Sequence, residues 1–245
     1  MNLAKILLSG FLSLFLLCGC NDDKNQDDLV VGTSADNPPY EFIKDGKIVG
    51  MDIDIANAVG KYIGKKVVIK NLDFHGLLAA LTSKNVDAVI AGLSITPARK
   101  SRVDFSVPYT AATVAVLYRT EDALSKIDDL KNLHIGAQLG TLWGQIAQDF
   151  SGKLHTKIHS LSNNLMLVEE LKSKAVSAVI LEEAQAKKFV ANNPSLSYFL
   201  LEDFSSEFAI ALPSGSLLKA SIDNAIRRLG EDGVLEEIRK KWLQE

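Results

Sequence analysis

The sequence lacks several features that would point to common classes of protein. It has no long run of like charge, and its 27 basic and 30 acidic residues give a formal net charge of −3 at pH 7, so nothing indicates nucleic-acid binding. No G-x-S-x-G, P-loop or G-x-G-x-x-G motif occurs, which removes the usual sequence evidence for a serine hydrolase or a nucleotide-binding enzyme. The four histidines form no ligand pattern, so we expect no metal site and no cofactor.

Cysteine is scarce, and both cysteines lie in an N-terminal segment typical of a lipoprotein signal peptide. Lys5 precedes a 12-residue apolar run that is too short to span a bilayer. The run ends in Leu-Cys-Gly-Cys, which resembles the bacterial lipobox and places Cys20 at the acylated position. We predict a signal peptide over 1–19, lipidation at Cys20 and a polar tether over 20–28, which would anchor the chain in the periplasm or cell envelope. Cleavage would leave one cysteine and no disulfide.

After the tether, short apolar strands alternate with amphipathic helices. Turn signals such as Asp45-Gly46-Lys47 and helix stops such as Gly64 separate them. This alternation is typical of α/β proteins with open, mostly parallel sheets flanked by helices. The predicted strands cover 29–33, 40–43, 48–51, 66–71, 86–91, 113–119, 134–137, 154–159, 178–181 and 208–212, and the predicted helices cover 52–63, 74–83, 142–150, 163–173, 216–230 and 234–242.

One helix-to-strand passage occurs twice in the chain. Segment 81–90 matches segment 171–180 at seven of ten positions, an offset of 90 residues. The recurrence predicts two lobes of like topology. Because ligands of open α/β sheets bind beyond the carboxyl ends of the strands, we expect a ligand cleft between the lobes. We assign lobe 1 to 29–111 plus 208–245 and lobe 2 to 112–207.

The octapeptide from Gly92 to Arg99 gathers groups that suit an α-amino acid. It follows a buried strand, and its Thr-Pro pair opens a short helix. The Gly92 carbonyl and the Ser94 hydroxyl can accept from an ammonium group, while helix-terminal N–H groups and the Arg99 guanidinium can bind a carboxylate. Taken alone, the octapeptide is better explained as a surface arginine after a helix cap. Only the rest of the chain can favour the amino-acid-binding interpretation over this one.

From Leu29 to Trp242 the chain resembles the periplasmic polar amino-acid-binding proteins, the receptors of ABC importers, and among them the arginine and lysine/arginine/ornithine type. The resemblance implies a two-lobed fold with the cleft between the lobes. It also implies a monomer that is not an enzyme, binds a free amino acid and delivers it to a membrane permease. The segments that carry it are, in order, 31–33, 38–42, 46–54, Phe74, 92–99, 136–141, 231–233 and Trp242.

The resemblance assigns ligand contacts in the first lobe position by position. Arg99 matches the arginine that holds the ligand carboxylate, and Ser94 matches the serine that assists it. Gly92 matches a position that offers its carbonyl to the ammonium group. Phe74 matches an aromatic residue that lies against the ligand side chain. Asn37 departs from the pattern, because relatives often carry a second aromatic there, and Tyr40 could cover the same face instead.

In the second lobe, Thr141 and Leu142 match the backbone and hydroxyl contacts to the carboxylate at a helix N-terminus. Glu182 matches the acid that pairs with the ammonium group, where relatives more often carry aspartate. The alternative for Glu182 is an acid favoured at the start of a helix by the helix dipole. Gln138 is a further candidate for a polar contact.

The loop after the first strand could set specificity through Ser34 and Asp36. A close charge pair with Asp36 would favour arginine or lysine over neutral amino acids. Alternatively, Asp36 faces solvent, as most loop aspartates do. Three other functions stay open: a receptor for a neutral polar amino acid such as glutamine, an enzyme of the cyclohexadienyl dehydratase type with Glu182 as general acid, and a lipoprotein used in adhesion or signalling.

Overall fold

The structure is a computed structural model that describes residues 27–243. The predictions for the signal peptide, Cys20 and residues 20–26 of the tether lie outside the described residues. The strands are β1 (Asp28–Thr33), β2 (Asp36–Asn37), β3 (Glu41–Lys44), β4 (Lys47–Val49), β5 (Lys66–Asn71), β6 (Ala88–Val89), β7 (Val103–Phe105), β8 (Thr110–Arg119), β9 (His134–Gln138), β10 (Lys157–Leu161), β11 (Ala178–Glu182), β12 (Leu196–Phe208) and β13 (Ala211–Pro213).

Helices connect most of these strands. Short 3₁₀ segments occur at Phe74–Gly76, Thr120–Asp122 and Ile127–Leu130. The α-helices are α1 (Met51–Tyr62), α2 (Leu77–Thr82), α3 (Pro97–Lys100), α4 (Leu142–Leu154), α5 (Asn164–Lys172), α6 (Glu183–Asn192), α7 (Lys219–Glu231) and α8 (Val234–Leu243).

The strands form two five-stranded sheets and a small three-stranded sheet. In the first sheet, ordered β5-β1-β6-β13-β7, β1 runs parallel to β5 and β6, whereas β13 is antiparallel to β6 and β7. In the second, ordered β10-β9-β11-β8-β12, β9 runs parallel to β10 and β11, whereas β8 is antiparallel to β11 and β12. The two-lobed α/β architecture is therefore confirmed, and each sheet is parallel across three of its strands. We call the parts built on the two sheets the first and second lobes. The residue boundaries assigned to them above stay predictions.

The sequence repeat corresponds to a repeated turn. In the first lobe it leads from α2 to β6, and in the second from α5 to β11. Lys84 and Lys174, which occupy the same place in the two copies, both adopt left-handed backbone conformations, with φ of 62° and 68°. The strands that follow are buried, as expected where helices cover both faces of a parallel sheet.

Two paired strands run between the lobes. β8 and β12 are antiparallel over nearly their full length, from Arg119 opposite Leu196 to Thr110 opposite Phe208. Their register shifts between Leu201 and Ser205, where β12 carries residues that have no partner on β8. Beyond this shift the ribbon leads to the first lobe, where Phe208 forms a bridge with Ser94.

Several predicted strands differ from the observed ones in their bounds. The strand predicted over 208–212 is wrong as a single strand, because Phe208 ends β12 and β13 begins at Ala211. The strand predicted over 154–159 begins too early, because Leu154 is the last residue of α4 and β10 starts at Lys157. The apolar face of α4 includes Phe150 and extends its packing to this point, and His155 then ends the helix in a left-handed conformation with φ of 53°. The strand predicted over 86–91 is also shorter than expected, since only Ala88 and Val89 pair as a strand.

Candidate functional site

The carboxyl ends of strands in the two lobes face each other, and most predicted site residues lie there. Ser34 and Asp36 follow β1, and Gln138 and Glu182 end β9 and β11. All four side chains are buried. Contacts cross between the lobes at this edge, since Gln138 donates from Nε2 to Oδ2 of Asp36 over 2.8 Å. The structure thus brings the predicted residues of both lobes to one place, as expected for open α/β sheets.

Arg99 is placed by a short helix and lies between the lobes. Thr96 caps α3 by accepting from the Arg99 backbone N–H at 3.2 Å. The guanidinium donates from Nη1 to the Ser94 carbonyl at 2.6 Å and from Nη2 to the Gly140 carbonyl, in the second lobe, at 2.9 Å. It also lies 5.6 Å from the ring centroid of Phe74, within cation–π range.

The positive charge of Arg99 has no anionic partner among the described residues. Its side chain is only 9% exposed, and burial lowers the pKa of the guanidinium to about 10, so it remains charged at neutral pH. A buried charge is costly unless it is paired. A ligand carboxylate, bound by the guanidinium fork, would supply that pair.

Glu182 lies at the start of α6, as one of its two interpretations predicted. It is the N-cap of α6, and its Oε1 accepts from the Gln185 backbone N–H at 3.2 Å. Its Oε2 is buried and has no hydrogen-bond donor among the described residues. Burial raises the pKa of the Glu182 carboxyl well above its usual range. An ammonium group at Oε2 would satisfy this oxygen and stabilise the ionised carboxylate.

Gly92 requires its glycine for two reasons. Its φ is +52°, a left-handed conformation, and a Cβ atom there would lie 2.9 Å from Nδ2 of Asn37 and 3.3 Å from the ring of Phe208. Its N–H donates to Oδ2 of Asp52 at 2.7 Å. The carbonyl is therefore the backbone group that this position can offer to a ligand.

The surroundings of Thr141, Leu142 and Asp36 differ from one another. The Thr141 hydroxyl donates to the Gln138 carbonyl at 2.7 Å and accepts from the Gly144 N–H at 3.0 Å, so it already serves as the cap of α4. Leu142 lines a surface crevice with Ala111 rather than the seam at Arg99. Asp36 is 4% exposed, so the solvent-facing alternative does not describe it.

Asn37 and Tyr40 were considered above for the place where relatives often carry a second aromatic residue, and both have protein partners in the structure. Asn37 donates from Nδ2 to Oε1 of Glu41 at 3.2 Å. Tyr40 is buried with its ring 5.4 Å from that of Phe208 in an edge-to-face arrangement, so Phe208 is the ring on which Tyr40 packs. Trp143, at the start of α4, approaches Phe208 from the second lobe at 6.4 Å.

A pair of buried acids behind Gly92 was not among the predicted site residues. Oδ2 of Asp52 accepts from the Tyr109 hydroxyl at 2.8 Å, in addition to the Gly92 N–H. The carboxyl groups of Asp52 and Glu41 are neighbours, and Oδ1 of Asp52 and Oε2 of Glu41 have no hydrogen-bond donor among the described residues. One proton between them satisfies both oxygens.

Burial raises the pKa of both carboxyls, for Asp52 to about 6 and for Glu41 well above its usual range. Burial is the largest cause for both carboxyls, so the folded protein disfavours two negative charges at this place. The sequence signal for the pair was present, since each acid is flanked by apolar residues, but Asp52 also suits the first turn of a helix.

Side-chain placement and helix length in residues 27–243 bear on two further features, metal binding and membrane spanning. No group of three His, Cys, Asp or Glu side chains in this range is placed to hold a metal ion. No helix in the same range is long and apolar enough to span a membrane.

A two-lobed α/β fold with a buried arginine and buried acids at facing sheet edges defines a binding protein of the periplasmic type, with its ligand held between the lobes. The chain belongs to the bacterial extracellular solute-binding proteins, family 3, whose model matches residues 29–245. The family resemblance drawn from the sequence is thus confirmed.

Known relatives agree with this assignment. The chain is 31% identical over 246 residues to the arginine-binding extracellular protein ArtP of Bacillus subtilis, covering 97% of this chain and 96% of the relative. It is similar to the structure of an ancestral arginine-binding protein bound to arginine, with a TM-score of 0.85, 35% identity and coverage of 89% and 98% of the two chains. A structure of an ancestral arginine-binding protein bound to glutamine has a TM-score of 0.85 and 37% identity, with coverage of 90% and 99%.

Proposed function

We propose that this protein is the lipid-anchored receptor of an ABC importer, and that it binds a basic amino acid of the arginine or lysine type when its lobes close. The observation that carries the proposal is the buried, unpaired guanidinium of Arg99 at the seam between the lobes. In this proposal the protein does no chemistry on its ligand. The names of the relatives support this, because they describe proteins that bind arginine.

The α-carboxylate and α-amino groups of the ligand would pair with the two groups of the site that lack a partner, the Arg99 guanidinium and Oε2 of Glu182. Arg99 binds the carboxylate, and Oε2 of Glu182 accepts from the ammonium group. Ser94 assists at the carboxylate and Gly92 at the ammonium, while the N-terminal N–H groups of α4 after Thr141 add donors from the second lobe. The ligand then bridges both lobes, so it stabilises the closed arrangement over the open one.

Preference for a basic side chain follows from the charge behind the site. In this proposal the Glu41–Asp52 pair carries one negative charge, and it contacts two site positions, Asn37 and Gly92. Arg99, the cation that lies at the site, is assigned to the ligand carboxylate. The remaining negative charge favours a cationic ligand side chain, and Phe74 offers it an aromatic face.

A thermal-shift panel on the purified protein tests the proposal, using the twenty amino acids with ornithine, citrulline and cystine. A ligand at 100 times its Kd should stabilise the fold by about 2.7 kcal/mol. Arginine or lysine should give the largest shift, and citrulline, the neutral analogue of arginine, a much smaller one. A thermal shift with glutamine or citrulline equal to that with arginine would support the receptor function but contradict the proposed preference for a basic side chain. No shift with any compound would overturn the proposal, and prephenate would then test the dehydratase alternative.

A further inference from the structure

The carboxylate of Asp36 lies between the two lobes and is bonded mainly to the second one. Its Oδ2 accepts from Nε2 of Gln138 and from the backbone N–H of Asn164, each over 2.8 Å. Its Oδ1 accepts from the Ser34 hydroxyl at 3.1 Å, within its own loop. Both oxygens of a nearly fully buried carboxylate are thus satisfied, and each of these three donors is a protein group.

The second-lobe partners are themselves held in place. Gln138 also donates from Nε2 to the Ser162 carbonyl at 3.0 Å and accepts at Oε1 from Nδ2 of Asn164 at 2.9 Å, so its amide can point only one way. Gln185 adds a longer bond from Nε2 to the Asp36 backbone carbonyl, at 3.4 Å. Asp36 therefore contacts β9, α5 and α6 of the second lobe through one polar network.

The charge of Asp36 fits this place. Asn164 is the first residue of α5, a nine-residue helix whose N-terminal end carries a partial positive charge. Because the donors of Gln138 and Asn164 belong to the other lobe, separating the lobes breaks two bonds to a charged group. The Ser34 bond stays within the first-lobe loop when the lobes separate.

We propose that Asp36 is a positioning residue that holds the lobes together and does not bind the ligand. Its bonds join protein groups alone and need no ligand atom, so under this proposal the protein without ligand samples a closed arrangement that depends on Asp36. The same bonds stabilise the closed complex of every ligand by an equal amount. The affinity part of this inference rests on the proposed amino-acid-binding function, whereas the part on lobe closure does not.

The inference is tested by Asp36→Ala in two measurements. The first is energy transfer between fluorophores on K61C and N192C, two exposed positions on α1 and α6, in the absence of amino acids. Asp36→Ala should shift the population towards the longer distance. Asp36→Asn, whose amide oxygen can still accept from both second-lobe donors, should restore most of the short distance. Ser34→Ala, which removes only the bond within the loop, should leave the energy transfer without ligand at its wild-type value.

The second measurement compares the affinities for arginine and citrulline. Asp36→Ala should weaken both by the same factor, roughly ten- to a hundredfold, and leave their ratio unchanged. A loss confined to arginine would show that Asp36 contacts the ligand cation and would overturn the inference. Unchanged energy transfer in Asp36→Ala would also overturn it. If wild type binds no amino acid, the proposed function fails, yet the energy-transfer result still decides the role of Asp36.

A second variant guards against misfolding of Asp36→Ala. Gln138→Ala removes one of the two second-lobe donors to Asp36 and leaves the Asn164 N–H, so it should shift the distance in the same direction but by less. Because the Gln138 side chain is proposed to act through its bond to Asp36, the double variant should be no more open than Asp36→Ala alone. Additive effects would show that the two residues act independently, contrary to the inference.

Discussion

Nη2 of Arg99 donates a 2.9 Å hydrogen bond to the carbonyl oxygen of Gly140, and this bond joins the two lobes at the site assigned to the ligand carboxylate. The same guanidinium is thus placed to contact the ligand and the opposite lobe. Binding of the carboxylate and approach of the lobes are coupled through one side chain, so changes at this seam should alter affinity and closure together.

Replacement of Arg99 should remove ligand binding. Arg99→Ala deletes both the charge and the fork that binds a carboxylate, and we expect affinity to fall roughly a hundredfold or more. Arg99→Lys keeps the charge but not the two-pronged geometry, so it should recover only part of the loss. Isothermal titration with the best compound of the panel measures both. Near-normal affinity in Arg99→Ala would contradict the assigned site.

Gly140→Ala should hinder closure. Gly140 has φ of +81°, and a Cβ atom there would lie 3.0 Å from Cβ of His75 in the opposite lobe. Gly46→Ala is a matched control, because Gly46 has φ of +72° but open space around its Cβ position. Both variants should lose about 1 kcal/mol of stability to backbone strain. Affinity should fall in Gly140→Ala alone, and an equal affinity in the two variants would show that the seam does not close against His75.

Replacement of Glu182 by glutamine should separate affinity from stability. In Glu182→Gln the new side chain can still cap α6 through its amide oxygen, but it cannot pair as an anion with an ammonium group. Because burial raises the pKa of Glu182, its ionised form destabilises the fold, so the neutral variant should unfold at an equal or higher temperature at pH 7 to 8 without ligand. Affinity for the amino acid should decrease, as measured by titration. A lower unfolding temperature with full affinity would contradict the assignment.

The buried acid pair should make stability depend on pH. The pKa of Asp52 is raised from 3.8 to about 6, so between these values the folded state keeps a proton that the unfolded state has lost. The free energy of unfolding should therefore fall as pH rises through this window, at up to about 1.4 kcal/mol per pH unit from this group. Urea unfolding at pH 4, 5 and 6 measures the slope. Asp52→Asn should make it shallower, and an identical slope would exclude Asp52 as its source.

The sequence was most informative where local chemistry decides the structure. Thr96 and Pro97 fix the start of α3 and therefore the position of Arg99. The sequence repeat likewise predicted that Glu182 lies at the end of a strand. Contacts between distant segments could not be read in this way. Glu41 and Asp52 meet only because a hairpin packs against α1, and each acid alone is typical of a surface or helix-start position.

Asp36 illustrates the same limit. Its loop position was compatible with a ligand contact or with solvent, because sequence does not show which groups of the second lobe come near. The partner that decides its surroundings, Gln138, lies 102 residues away along the chain. The end of α4 was missed for a related reason, since packing of the helix face carried the helix through Leu154.

The ribbon of β8 and β12 has a mechanical consequence. Sliding one strand along the other would break its ladder of hydrogen bonds, whereas bending at the shift between Leu201 and Ser205 breaks few of them. The easiest relative motion of the lobes is thus a flexion about this point, with a single dominant degree of freedom. For the receptor proposed above, flexion at one point would limit the orientations that the lobes present to a permease.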